Sequence, residues 1–240
     1  MPKIDVCHSP TLLQHYQLAG KCVVIIDILR ATSTIVAGLG YGIQSFYPVA
    51  TLDECRTLGE KGYLTAAERE GIKEAGFDLG NSPLALYNPD YIGKDIAITT
   101  TNGTIALHES RAAKTILAAG FINLDATCQY LANQEDDVLM VCAGWKGLPS
   151  AEDTLFAGAV ADLLINDARY DNLFKATSDA AHMAIAYHQQ SSGNYKAYLK
   201  ECSHVTRLAH LGIGDDIDFC LTPNTHNLVA GLVDNHLVRL

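Results

Sequence analysis

Acids, bases and hydroxyls gather immediately after the apolar runs of this sequence. The run at 22–28 leads into Asp27-Ile28-Leu29-Arg30-Ala31-Thr32-Ser33-Thr34, a carboxylate three residues ahead of a guanidinium. The run at 63–67 leads into Glu68-Arg69-Glu70-Gly71, and the run at 95–99 into Thr100-Thr101-Asn102-Gly103-Thr104. The run at 138–143 leads into Gly144-Trp145-Lys146-Gly147-Leu148-Pro149-Ser150-Ala151-Glu152-Asp153. A further polar segment, Gly76-Phe77-Asp78-Leu79-Gly80-Asn81-Ser82-Pro83, falls between the second and third. The carboxylates Asp27, Glu68, Glu152 and Asp153, without thiolates or paired histidines beside them, are hard oxygen donors suited to Mg²⁺. Arg30, Arg69 and Lys146 suit a small polyanion, as do the hydroxyls and free N–H groups of Thr100, Thr101, Asn102, Gly103 and Thr104 at a helix start. Asp78 and Asn81 are expected to hold a turn or to contact the same ligand, and Ser82 to contact it. Together these residue types imply metal-assisted phosphoryl transfer to water.

Each segment taken alone also has a structural reading. Asp27 and Arg30 would make a buried ion pair, residues 68–71 a solvated turn, and Ser82-Pro83 the cap and first position of a helix. Ser150 and Asp153 have capping-box spacing, which leaves Glu152 in the first helical turn beside the dipole.

The elements that must carry these residues follow from hydrophobic spacing. Strands are expected at 4–7, 22–28, 44–48, 63–67, 95–99, 114–118 and 138–143. Several, such as Cys22-Val23-Val24-Ile25-Ile26, do not alternate and must be covered on both faces, as in a parallel sheet. Between them lie helical patterns. Thr51 and Glu54 form a capping box, and Leu155, Phe156, Ala159, Val160, Leu163 and Leu164 form one apolar stripe. The expected class is α/β, a largely parallel sheet with helices on both faces and a site at the carboxyl ends of the strands. Residues 178–211 read as helices and 228–240 as a closing strand pair. Residues 1–240 are expected to form a single domain, the change of pattern near 170 leaving room for a mostly helical C-terminal subdomain.

Composition narrows the function classes. Seventeen Lys+Arg against 27 Asp+Glu give a net charge of −10, which argues against nucleic acid and anionic membrane surfaces as partners. The 48% apolar content excludes a disordered chain. No apolar run approaches the ~18 residues of a membrane span, and no secretory signal is expected. The seven cysteines show no CxxC spacing, and Cys22 and Cys142 read as buried thiols in a reducing cytoplasm. The partner expected is a small anionic phosphate ester, and homo-oligomerisation is left open. A P-loop, a dinucleotide fingerprint, a Ser–His–Asp elbow, an aspartyl DxD motif and a thiol-phosphatase loop are all absent. His182/His188 and His204/His210 are six apart, not the i,i+4 spacing of paired ligands on a helix; His204 is within reach of a site but alone reads as structural.

The segments above, in this order, resemble the 2-phosphosulfolactate phosphatase family. The resemblance rests most on residues 76–83 and 99–104, with support from 27–34, Glu68-Arg69, 143–153 and the stretch from Ser203-His204 to Asp215-Asp216. It implies a Mg²⁺-dependent acid phosphatase that removes phosphate from 2-phospho-3-sulfolactate on the route to coenzyme M. In that reading Asp27, Glu68 and Asp153 (or Glu152) position the metal, Arg30, Arg69 and Lys146 neutralise the substrate, and a carboxylate raised by a neighbouring acid protonates the leaving oxygen. The rival readings are a phosphatase for another small phosphorylated 2-hydroxy acid and a non-catalytic anion-binding protein. This chain has Glu70 where the family usually has glycine, and its ending from 224 to 240 also departs from the pattern.

Overall fold

The computed structural model describes residues 1–170 and 172–240. All seven expected strands form: β1 (Lys3–Cys7), β2 (Cys22–Ile26), β3 (Ser45–Pro48), β4 (Leu64–Arg69), β6 (Asp95–Thr99), β7 (Thr115–Ala119) and β8 (Val138–Cys142). β2 stops two residues short of the expected end. There the Thr32 hydroxyl takes the Asp27 N–H at 3.0 Å, and the Thr32 N–H bonds the Asp27 carbonyl, turning the chain into α1 (Ala31–Tyr41). The pairs β1–β8, β8–β2, β2–β7, β3–β6 and β6–β4 are all parallel.

Two short strands carried no sequence signal. β5 (Ile72–Lys73) folds back antiparallel on β4, and β9 (Lys175–Ala176) pairs with β1. Two-residue strands have too little period to be read from a sequence.

The closing pair lies in the middle of the sheet. β10 (Ala230–Val233) and β11 (His236–Arg239) form an antiparallel hairpin that joins β7 on one side and β3 on the other. The order across the sheet is β5-β4-β6-β3-β11-β10-β7-β2-β8-β1-β9. Two parallel blocks are thus joined by one antiparallel hairpin.

Both faces of the central strands are dry. Val24, Ile26, Met140 and Cys142 pack beneath α4 (Leu124–Ala132) and α5 (Ala151–Asn166). Val23, Ile25, Leu139 and Val141 pack against Ile35, Val36 and Leu39 of α1. This two-sided burial is the reason those strands show no alternation. α2 (Leu52–Gly59) begins with the expected Thr51/Glu54 capping box.

Residues 178–211 are helical as expected, in α6 (Asp179–Ser191), α7 (Tyr195–Leu199) and α8 (Ser203–His210), followed by α9 (Gly214–Cys220). α6 lies so close on α5 that a Cβ on Gly158 would sit 2.0 Å from the Ala184 carbonyl oxygen. Two backbones must part to admit it. Gly158→Ala is expected to lose about 1–3 kcal/mol of stability, read as a lower melting temperature in a thermal scan. An unchanged midpoint would show that α5 and α6 are not held at this distance.

Two expected caps take another form. Ser82-Pro83 opens only a 3₁₀ turn at Leu84–Leu86, where the Ser82 hydroxyl accepts the Ala85 N–H at 3.3 Å and donates to Asp216 Oδ1 at 2.8 Å. Ser150 precedes α5 without capping it through its side chain, and its hydroxyl is buried with no hydrogen-bond partner among the described residues.

Candidate active site

The sheet coils enough to bring distant strand ends together. β2 and β4 are separated by five strands in the sheet order, yet the Arg30 guanidinium after β2 donates to the Gly71 carbonyl after β4 at 2.9 Å. Between them lies a small chamber, about 10 Å³, room for roughly one water molecule. Asp27, Arg30, Glu68, Asn81 and Asn102 line it from the strand ends, and His204 and Arg207 close it from α8.

Asp27 leaves β2 and is almost fully buried. Its Oδ1 accepts the Ala31 N–H at 3.2 Å, while Oδ2 lies against Gly103, where a Cβ would approach to 2.7 Å. Burial pushes the Asp27 carboxyl up to about 6; the Ala31 N–H and His204 oppose the rise, and the nearby charges of Glu68 and Glu152 add to it. Glu68, also buried, is fixed by the Gly71 N–H and, at 3.4 Å, by the Thr101 hydroxyl, both on Oε1. Asn81 brings a buried carbonyl oxygen with no hydrogen-bond partner among the described residues.

Arg30 forms a buried ion pair with Asp216 of α9, Nη1 to Oδ2 at 2.5 Å. The buried pair expected between Asp27 and Arg30 does not form; Arg30 turns instead to Asp216, 186 residues away. On the far side of this pair a wider groove of about 470 Å³ runs past Lys73, Gly80 and Ile213.

Asp153 does not face the chamber. Its two oxygens accept the Ile28 N–H at 2.9 Å and the Gly144 N–H at 3.0 Å, tying the ends of β2 and β8 together. Burial, then Glu152 and Asp27, push its carboxyl well above the usual range. Both oxygens thus hold backbone amides, and Asp153 lies outside the residues that line the chamber. Glu152 is likewise set behind the wall. Its Oε1 meets His204 Nδ1 at 2.5 Å, and its Oε2 is buried without a partner among the described residues.

Other expected contacts are also drawn away from the chamber. Arg69 donates to the carbonyls of Glu68 and Thr99 at 2.7 and 3.3 Å and to the Thr99 hydroxyl. Thr100 and Thr104 bond each other at the start of α3 (Gly103–Glu109). Asn102 caps nothing with its side chain and instead accepts the Lys146 N–H at 3.4 Å. The exposed Lys146 ammonium pairs with Glu70 at 2.9 Å.

Strand-end reasoning does not reach Arg207 and Asp216. Arg207 packs over Trp145, with its carbon centre 4.0 Å from the ring centroid, and donates to the Glu70 carbonyl. A signal existed, because His204, Arg207 and Leu208 share one face of a helix at i, i+3 and i+4, and all three reach the chamber.

The donor set fits Mg²⁺. Free carboxylate oxygens of Asp27 and Glu68 and the unpartnered Asn81 carbonyl are hard donors around a space the size of a water. Among the described residues no three His, Cys, Asp or Glu stand close enough to cage an ion. Mg²⁺ ordinarily uses only one or two carboxylates and keeps its waters.

The family model described as 2-phosphosulpholactate phosphatase matches residues 7–235. A Thermotoga maritima protein named "Probable 2-phosphosulfolactate phosphatase" is 41% identical over 214 residues, covering 89% of this chain and 90% of the relative. Proteins of the same name from Trichormus variabilis and Clostridium beijerinckii are 38% and 32% identical, over 224 and 239 residues. The first covers 91% of both chains and the second 98% of both. With the family model spanning nearly every element described above, the chain belongs to the 2-phosphosulfolactate phosphatase family.

Proposed function

We propose that this protein is a Mg²⁺-dependent phosphatase that hydrolyses 2-phospho-3-sulfolactate to 3-sulfolactate and phosphate, a coenzyme M-type step. The observation that carries the reading is the meeting of Asp27, Glu68 and Arg30 in one buried chamber at the strand ends. The names of the relatives support the substrate.

Asp27 and Glu68 would hold the metal, with Asn81 as a neutral oxygen beside them. When bound, Mg²⁺ supplies charge neutralisation to the phosphoryl oxygens and lowers the pKa of a coordinated water. Arg30, held by Asp216 and Gly71, presents a fixed positive charge to the phosphoryl group without having to reorganise. Trp145 and Leu208 exclude bulk water from one side. Among the described residues no helix is long and apolar enough to cross a membrane, and the free cysteines suit a reducing cytoplasm.

A second reading is kept by one observation. Glu70 neutralises Lys146 at the rim, which removes a cation that a second anionic group of the substrate would use. That favours a less highly charged phosphorylated 2-hydroxy acid.

The test is phosphate release from 2-phospho-3-sulfolactate and a panel of phosphorylated hydroxy acids, in Mg²⁺ and in EDTA. The expected result is metal-dependent release from the sulfonate ester with kcat/KM above about 10⁴ M⁻¹s⁻¹. A higher kcat/KM for a carboxylate analogue would move the assignment to the second reading. No release from any ester would overturn both.

A further inference from the structure

His204 is the one ring of its kind in the chamber wall, and it is held from two sides. Its Nδ1 meets Glu152 Oε1 at 2.5 Å. Its plane lies on the Trp145 indole, 29° from parallel with centroids 5.2 Å apart. Glu152 is 1% exposed and stands behind the ring, outside the chamber lining. With Nδ1 taken by Glu152 and His204 lining the same chamber as Asp27 and Arg30, Nε2 is the ring nitrogen left for the chamber. Nε2 has no hydrogen-bond partner among the described residues. A carboxylate on Nδ1 orients the ring and leaves Nε2 as the working atom; the step below uses the imidazolium form, with one N–H on Glu152 and the other, Nε2–H, free to be given up.

We infer that His204 is the general acid that protonates the leaving oxygen, with Glu152 as its positioning residue. The inference rests on the phosphatase reading above and deepens it. The need is chemical. An unactivated secondary alkoxide is a poor leaving group, and proton donation as the bond breaks removes that barrier. In the step, water forms a new O–P bond while the P–O bond to the substrate carbon skeleton breaks. The electron pair of that bond stays on the alkoxide oxygen, which takes the proton from Nε2. The protons of the attacking water leave with the phosphate, and Nε2 regains its proton from the departing dihydrogen phosphate. The carboxylates are poorer candidates for proton donation, because Asp153 has both oxygens on backbone amides, and Asp27 and Glu68 are the metal donors.

The test compares two substrates that differ in their need for an acid. 2-Phospho-3-sulfolactate releases an alkoxide; acetyl phosphate releases acetate, which leaves without a proton. His204→Gln is expected to lower kcat on the first by about 10²–10⁴-fold and on the second by less than about tenfold, with KM changed little. Glu152→Gln should show the same asymmetry, smaller, with at least about a tenfold loss on the alkyl ester. Equal losses on both substrates, or no loss, would overturn the inference. If the unsubstituted enzyme releases phosphate from neither, it is the phosphatase reading that has failed. Circular dichroism of both variants separates misfolding from lost chemistry, and Glu152→Gln decides the matter if His204→Gln does not fold.

Discussion

Asp27→Asn is expected to lower kcat by about 10³-fold or more while the protein melts at a higher temperature. The substitution keeps an oxygen for the Ala31 N–H, so the turn into α1 survives. On the metal-dependent reading proposed above it removes a charge that would hold the metal, a loss of several kcal/mol of transition-state stabilisation. The rise in stability has a separate cause. Burial raises the folded-state pKa of Asp27 to about 6 from the ordinary 3.8. Between pH 4 and 6 the folded state therefore binds more protons than the unfolded chain, and stability falls as pH rises through that window. At pH 7 the full penalty is present, and asparagine abolishes it. Thermal scans in EDTA should show the variant above the parent at pH 7 and level with it near pH 4. Near-normal turnover would remove Asp27 from the site, and a lower melting point at pH 7 would mean the carboxylate is not destabilising.

Arg30→Ala is expected to cause the largest loss of stability among single changes at the site. Both members of the Arg30–Asp216 pair are buried, with side-chain exposures of 6% and 7%. Removing one leaves Asp216 charged, with only the Ser82 hydroxyl at 2.8 Å, and strips the Gly71 carbonyl of its donor. Breaking a buried pair from one side costs about 3–5 kcal/mol. For a chain of this size that is a fall of roughly 6–20 °C in melting temperature. From sequence, the main effect of this change is a higher KM; the structure adds the stability loss and makes it the first thing to measure. Arg30→Met combined with Asp216→Leu should recover most of the loss, since replacing both ions by apolar groups is often neutral. A double variant no better than Arg30→Ala alone would show that the Gly71 contact, not the ion pair, is the anchor.

The sheet was legible because its strands are short apolar runs with polar segments after them, and burial on both faces shows directly as missing alternation. What stood at the strand ends was legible as chemistry but not as direction. Asp27 and Asp153 look alike in the sequence, one after a strand and one opening a helix. Only the fold shows that Asp153 turns back to the Ile28 and Gly144 amides while Asp27 faces the chamber. Arg69 and Lys146 were equally plausible cations, yet one lies along its own backbone and the other pairs with Glu70. The contributions of α8 and α9 were the least visible. His204, Arg207 and Asp216 reach the site from helices that no strand-end rule points to, and their partners lie 52 to 186 residues away.

The placement of the 230–239 hairpin sets an order on biosynthesis. It is translated after every strand it joins. A ribosome that has finished α9 has released two parallel blocks, each with one open flank, β7 on one and β3 on the other. Open strand flanks are templates for pairing with other chains, and here they persist until the last segment arrives. Stalled or prematurely terminated products of this gene would therefore be sticky rather than merely inactive.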